Sequence, residues 1–134
     1  MASANETIGL YRYCAVAGNA GTPGAPILHL SLLVNAASGK VTGQAVQTQA
    51  VAPPGNEIHV SNVEGQMRAT GFGEYTKVMA LRGTAVVSVP PPAIGTYLLP
   101  FEAHFALHSD LDGAGGWTLG NTEVNDVRLQ SEDC

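Results

Sequence analysis

Charged residues are scarce in this 134-residue chain: Asp, Glu, Lys and Arg make up 13%, about half of their share in an average soluble protein. Lys40 and Lys77 are the only lysines, and the arginines lie far apart in sequence. With a formal net charge of −5, the chain lacks the concentrated positive face that binds nucleic acids or anionic membranes. Such a neutral, partly apolar surface favours self-association, most simply as a homodimer.

Segments that direct a chain into a membrane are also missing. Residues 1–6 have no basic start followed by an apolar run, so they do not form a secretory signal. No apolar run approaches the roughly 20 residues of a transmembrane helix. These features predict a soluble, cytoplasmic protein without membrane insertion, or one exported by a route that leaves no N-terminal mark.

Cysteine is limited to Cys14 and Cys134. The two do not form a CxxC pair, which excludes zinc-ribbon and thiol-redox sites of that kind. Because a chain terminus is usually mobile, we expect Ser131 to Cys134 to be frayed. The sequence therefore does not favour a disulfide, and whether the two thiols pair stays open.

Motifs that commit a chain to a chemistry are absent as well. There is no GxSxG elbow and no glycine-rich loop that opens a helix to hold phosphate. Asp110, Asp112 and Gly113 resemble the start of a calcium loop, but the later oxygen ligands are missing, so a hairpin turn is the better interpretation. We therefore predict no catalytic residue, no metal ligand and no cofactor.

Strand patterns replace the missing helical ones. In Ile27 to Asn35, alternation places Leu28, Leu30, Leu32 and Val34 on one face, and the short link that follows contains Gly39 for a turn. Lys40 to Gln49, rich in Thr, Val and Gln, returns as the partner strand of a hairpin. Two proline-rich stretches, at Pro53 and Pro90, end strands elsewhere.

The whole chain, residues 1–134, is predicted to be one all-β domain. Seven to nine short strands joined by short loops indicate an antiparallel meander, closed or nearly closed into a barrel, with a β-sandwich as the alternative. The stretch Asp110 to Gly116 is expected to be a turn-rich tip before a short strand at Trp117 to Leu119. Glu74 to Arg82 also fits a two-turn amphipathic helix, and this alternative stays open.

Two stretches resemble a known family. Gly21 to Pro54 (GTPGAPILHLSLLVNAASGKVTGQAVQTQAVAPP) and Pro90 to Gly95 (PPPAIG) are similar to a family of small bacterial proteins, domain of unknown function 1842. The shared motifs are turns, a hairpin and a proline stop. The resemblance implies a small all-β domain and assigns no catalytic or binding residue.

Three functional hypotheses remain. The first is a non-enzymatic binding module for a small molecule or glycan. Trp117 beside the glycine-rich tip, with Asp112 and Asn121, is the candidate site, because sugars stack on aromatic faces and bond to Asp and Asn. In this hypothesis Gly43, Ala45, Gln47 and Gln49 leave room for a polar cavity inside the barrel.

The second hypothesis is a barrel-based enzyme, with Glu102, His104 or His108 as the acid or base. His104 and His108 do not predict a metal site, because residues four apart on a strand lie about 13 Å apart. The third hypothesis is a structural or toxin-associated protein that works by self-assembly.

Overall fold

The protein is an eight-stranded antiparallel β-barrel in which each strand pairs with the next. The computed structural model describes residues 9–18, 24–50, 57–70, 76–88, 92 and 95–134. The strands are β1 (Leu10–Gly18), β2 (Ile27–Asn35), β3 (Lys40–Thr48), β4 (Glu57–Ala69), β5 (Lys77–Ser88), β6 (Thr96–Leu107), β7 (Gly113–Leu119) and β8 (Thr122–Glu132). The predicted all-β meander and its closure into a barrel are confirmed.

β1 and β8 close the barrel through a short seam. Only Cys14 to Ala17 pair with Leu129 to Glu132, whereas β5 and β6 pair along their whole lengths. A disulfide between Cys14 and Cys134 lies at this seam and joins residues 120 positions apart. The expectation that Ser131 to Cys134 are frayed is therefore wrong, because Ser131 and Glu132 belong to β8 and Cys134 is covalently held.

Residue alternation fills the barrel interior. In β2, as the sequence predicted, Leu28, Leu30, Leu32 and Val34 are buried. The same alternation in the other strands fills the centre with large apolar side chains. The largest fully buried ones are Tyr13, Phe101, Leu28, Met79, Leu107, Leu111, Leu119 and Leu129. The interior is thus a packed core, the usual arrangement in small barrels.

The segment with helical potential is a strand. Lys77 to Arg82 lie in β5, where Met79 and Leu81 face inward and Val78, Ala80 and Arg82 face outward. The open alternative of a helix is therefore excluded from Lys77 onward, whereas residues 74–75 lie outside the described residues. None of the described residues is helical, so that part of the chain contains no helix long and apolar enough to cross a membrane.

The predicted tip at Asp110 to Gly116 is wrong in its second half, because β7 begins at Gly113. Glycine is needed there for packing rather than for turning. A Cβ atom on Gly113 would collide with the carbonyl oxygen of Ala106, and one on Gly115 with that of His104. The lack of side chains thus lets β7 lie close against β6.

The loop between β6 and β7 closes one end of the barrel. Leu111 is fully buried although its backbone has φ of 70°, a conformation that strongly disfavours leucine. Its carbonyl oxygen accepts a hydrogen bond of 2.6 Å from the Tyr13 hydroxyl. The buried side chain and this bond hold the loop across the barrel end.

This contact predicts a loss of stability in alkali. Burial raises the pKa of Tyr13 well above its usual 10.0. The folded chain therefore keeps a proton that the unfolded chain releases, so the free energy of unfolding falls as the pH rises above about 10, by up to ~1.4 kcal/mol per pH unit. Urea unfolding between about pH 9 and pH 11 measures the decline.

The matched variants for this prediction are Tyr13→Phe and Tyr97→Phe. Tyr13→Phe lacks this ionising group and should make the decline less steep, leaving the part due to Tyr11, whose pKa burial also raises. The variant costs about 1 kcal/mol at neutral pH for the lost bond. Tyr97 is exposed, so Tyr97→Phe should follow the wild-type curve. An equal decline in wild type and Tyr13→Phe would refute the assignment.

Candidate functional site

The aromatic candidate, Trp117, belongs to the packed core. Its side chain is 2% exposed, and its indole Nε1 donates a 2.8 Å hydrogen bond to Oε1 of Gln47. Gln47 is itself buried, so the inward face of β3 holds a bonded polar pair where a polar cavity was expected. Trp117 does not offer a ring face to a ligand in this arrangement.

The two other candidates lie apart from each other. Asp112 precedes β7 and Asn121 follows it, so they stand at opposite ends of a strand about 20 Å long. Oδ1 of Asp112 accepts hydrogen bonds from the backbone N–H (2.7 Å) and hydroxyl (2.8 Å) of Ser131, which join the β6–β7 loop to β8. The structure therefore does not bring Trp117, Asp112 and Asn121 together as one surface, and a ligand at these residues stays a prediction.

An open groove of about 620 Å³ lies instead on the outer face of the barrel, across β4, β5 and β6. Ala80 of β5 is its floor. Ala80 pairs with Gln66 on β4 and with His104 on β6, so these longer side chains stand on either side of it. We call this feature the outer groove. Its lining residues are Ser38, Lys40, Glu64, Gly65, Gln66, Ala80, Leu81, Arg82, Glu102 and His104.

Charges of both signs line the polar end of the outer groove. Arg82 pairs across the strands with Glu64 on one side and Glu102 on the other, which places their Cβ atoms about 5 Å from that of Arg82. No ion pair within 4 Å joins Arg82 to either carboxylate in the described part of the chain. The guanidinium and both carboxylates are therefore available to a ligand.

Hydrogen bonding fixes which atoms Gln66 presents. Its Oε1 accepts from Nε (2.9 Å) and Nη2 (2.6 Å) of Arg68. The amide nitrogen of Gln66, a donor, remains for the outer groove. Lys40 pairs with Gln66 from β3 and adds a second cation beside it.

An apolar depression of about 530 Å³ continues the outer groove along β5. Val78 and Ala106, which pair across β5 and β6, lie on its surface. The two cavities share Gln66, Ala80 and His104. A molecule lying along β5 would therefore meet a polar, charged end and an apolar end.

The acid and base candidates are divided by the structure. Glu102 and His104 face outward from β6 and line the outer groove. His108 follows the end of β6, and its backbone N–H donates to the carbonyl oxygen of Asp112. Within the described residues, no three His, Cys, Asp or Glu side chains form a group able to hold a metal ion.

Comparison with known families assigns the chain to a family. The model of the family described as Domain of unknown function (DUF1842) matches residues 8–123, from β1 into β8. The chain belongs to this family. The resemblance carried by Gly21 to Pro54 and Pro90 to Gly95 is thus confirmed. A search of curated proteins found no match.

Sequence reasoning missed the outer groove as a unit. Lys40, Gln66, Arg82 and His104 lie on four different strands and meet only through the pairing register. The sequence offered one indication, the alternation of Arg82 and Ala80 with Leu81 and Met79, which places the first two on the outward face of β5. This alternation does not tell which residues of neighbouring strands stand side by side.

Proposed function

We propose that this protein is a binding module that takes a small hydroxylated carboxylate, such as a sugar acid, in the outer groove. The observation that carries the proposal is the lining of that groove. Three of the six Lys and Arg residues of an acidic chain, Lys40, Arg68 and Arg82, lie along it and the adjoining depression. A packed interior supports a ligand on the outside of the barrel.

The chemistry of the lining fits this ligand class. Arg82 and Lys40 supply donors for a carboxylate, and Gln66 adds an amide donor. Glu64 and Glu102 accept hydrogen bonds from hydroxyl groups. The adjoining depression at Val78 packs against the apolar face of a sugar ring, for which no aromatic ring is required.

The affinity for D-glucuronate, followed by saturation-transfer NMR, tests this proposal. Arg82→Gln is expected to weaken binding about tenfold, since a charge-assisted hydrogen bond contributes about 1.4 kcal/mol at such an open site. Arg128→Gln on β8, outside the groove lining, is the matched control and should bind as wild type. D-glucose, which lacks the carboxylate, should bind more weakly than glucuronate.

Two results would count against the proposal: no saturation transfer to glucuronate, or equal affinity in wild type and Arg82→Gln.

An enzyme with Glu102 and His104 as acid and base is the second candidate, because both line the outer groove. Binding fits better, because the groove is open to solvent and does not exclude water from a reaction. Release of nitrophenol from a nitrophenyl glucuronide, absent in Glu102→Gln, would favour the enzyme.

The disulfide bears on where the protein works. Structural disulfides persist in oxidising compartments and are rare in the cytosol, so Cys14–Cys134 favours the exported alternative over the cytoplasmic one. We therefore include export to an oxidising compartment in the proposal. Thiol labelling of protein in freshly opened cells, compared with protein from the surrounding medium, tests it: reactive thiols only in the cells support export before the disulfide forms, whereas reactive thiols in both fractions count against it.

A further inference from the structure

One end of the barrel contains a second, smaller cavity of about 290 Å³. At this end β1 begins at Leu10, β2 ends at Asn35, β4 ends at Ala69 and β5 begins at Lys77. The residues that line the cavity from the inward faces of these strands are Tyr11, Val34, Met67, Ala69 and Lys77. We call this feature the mouth cavity, and the mouth of a β-barrel is a common position for a small-molecule site.

The link between β2 and β3 forms a fixed rim of the mouth cavity. The backbone N–H of Gly39 donates to the carbonyl oxygen of Asn35 (2.7 Å), and that of Met67 donates to the carbonyl oxygen of Gly39 (2.7 Å). Gly39 has φ of 77°, and a Cβ atom there would collide with the carbonyl oxygen of Met67. The link is therefore held close against β4, so this rim is in place before a ligand binds.

The inner wall of the mouth cavity is apolar and carries one hydroxyl group. Val34 and Met67 are buried core residues, and Tyr11 is only 4% exposed. The Tyr11 hydroxyl donates to Sδ of Met67 at 3.5 Å, and a thioether sulfur is a weak acceptor. Burial also raises the pKa of Tyr11, so its hydroxyl keeps the proton and can donate it to a stronger acceptor.

The outer part of the mouth cavity is cationic. Lys77 and Arg68 line it, and none of the described lining residues is acidic, although Asp and Glu outnumber Lys and Arg by 11 to 6 in the chain. Asn35 adds an amide donor, because its Oδ1 already accepts from the backbone N–H groups of Ala37 (3.0 Å) and Ser38 (3.2 Å). Burial lowers the pKa of Lys77, since partial removal from water disfavours the charged form. An anion beside the ammonium group offsets this cost.

We propose that the mouth cavity binds a short aliphatic carboxylate, such as hexanoate. The carboxylate pairs with Lys77 and accepts a hydrogen bond from the Tyr11 hydroxyl. The alkyl chain packs against the apolar wall at Val34 and Met67. This site is separate from the function proposed above, because neither Tyr11 nor Lys77 lines the outer groove.

Charge, apolar surface and size together select this class of ligand. The cations Arg68 and Lys77 are complementary to an anion, and the apolar wall matches an alkyl chain better than the hydroxyl groups of a sugar. A bare phosphate or sulfate would pair with the cations but leave the apolar wall in contact with water. The volume lies at the lower end of the range of about 300–1,000 Å³ for small-molecule sites, so the chain must be short.

A titration of ¹⁵N-labelled protein with hexanoate at neutral pH tests the proposal. Backbone amides of Gly39, Ala69 and Lys77 are expected to shift with one saturation curve, whereas that of Arg82 in the outer groove stays in place. Lys77→Gln should weaken binding about tenfold, and Lys77→Arg, which keeps the charge, should restore most of it. Arg128→Gln removes the same charge on β8, outside the cavity lining, and should bind as wild type.

Two further comparisons test the roles of the alkyl chain and of the hydroxyl group. Affinity should rise from acetate through butyrate to hexanoate, by about two- to fourfold for each CH₂ group that becomes buried. 1-Hexanol, which lacks the carboxylate, should bind about tenfold more weakly than hexanoate. Tyr11→Phe should weaken hexanoate binding about threefold, whereas Tyr97→Phe, at an exposed tyrosine, should not. Equal urea midpoints of the variants would show that the barrel is intact.

Three results would overturn the proposal. The first is the absence of shifts at Gly39, Ala69 and Lys77, and the second is equal hexanoate affinity in wild type and Lys77→Gln. The third is equal affinity for acetate and hexanoate, which would make the mouth cavity a site for bare oxyanions. Because Lys77 lies outside the outer groove, failure of hexanoate binding leaves the glucuronate result unaffected, and the two proposals are tested separately.

Discussion

Removal of the Cys14–Cys134 disulfide is expected to lower the free energy of unfolding by about 2–5 kcal/mol. The bond joins residues 120 positions apart, so it removes much of the conformational freedom of the unfolded chain. It also holds the shortest pairing in the barrel, the four-residue contact between β1 and β8. Without it, opening of the seam costs only those few strand contacts.

Urea unfolding of Cys14→Ala/Cys134→Ala against the oxidised wild type measures this loss. Wild type treated with a reductant should match the double variant within error, since both lack the same bond. Seam amides such as that of Ala15 should exchange faster in the variant, whereas amides of the β5–β6 pair should change less. A loss below about 1 kcal/mol would show that strand pairing alone closes the barrel.

Truncation of Trp117 to alanine is expected to cost about 3–5 kcal/mol, the usual range for a buried aromatic. The effect has two parts, a lost volume in the core and a lost donor to Gln47. Trp117→Phe keeps most of the volume and leaves the buried Oε1 of Gln47 without its partner, which costs about 1–3 kcal/mol. Urea unfolding followed by circular dichroism measures each change.

The double variant Trp117→Phe/Gln47→Leu separates the two parts. It removes both members of the hydrogen bond, so its loss of stability should be smaller than the sum of the losses in Trp117→Phe and Gln47→Leu, by about 1 kcal/mol or more. Val124→Ala, a partly buried residue packed against the core, is a control whose loss should be smaller. Additive losses in the double variant would mean that the bond contributes nothing.

Strands were predicted well from the sequence where apolar residues recur at every second position, and poorly where they do not. Every buried position of β2 carries leucine or valine, so its bounds and its buried face were predictable although Ile27 and Leu33 lie on the other face. β7 was mistaken for a loop in its first half, because Gly113 and Gly115 have the composition of a turn. Their actual role, close approach to β6, depends on a neighbouring strand that local sequence does not specify.

The site was less predictable than the fold, for a physical reason. Trp117 was conspicuous as the single tryptophan, yet its side chain points into the barrel and bonds to Gln47. The two residues are 70 positions apart in sequence, and only the closed fold brings them together. His104 was predicted only as an acid or base candidate on one strand, and Arg82 only as one of four scattered arginines. Register shifts at Gly43 and near Gly115 further change which residues stand side by side.

A titration of ¹⁵N-labelled protein with D-glucuronate tests the central claim most directly, because it reports the groove and the interior in one spectrum. We predict that backbone amides of Gln66, Ala80, Arg82 and His104 shift with a single saturation curve. The indole N–H of Trp117, buried against Gln47, should stay in place. A Trp117 indole resonance that shifts to saturation while the groove amides do not would place the ligand inside the barrel and contradict the account.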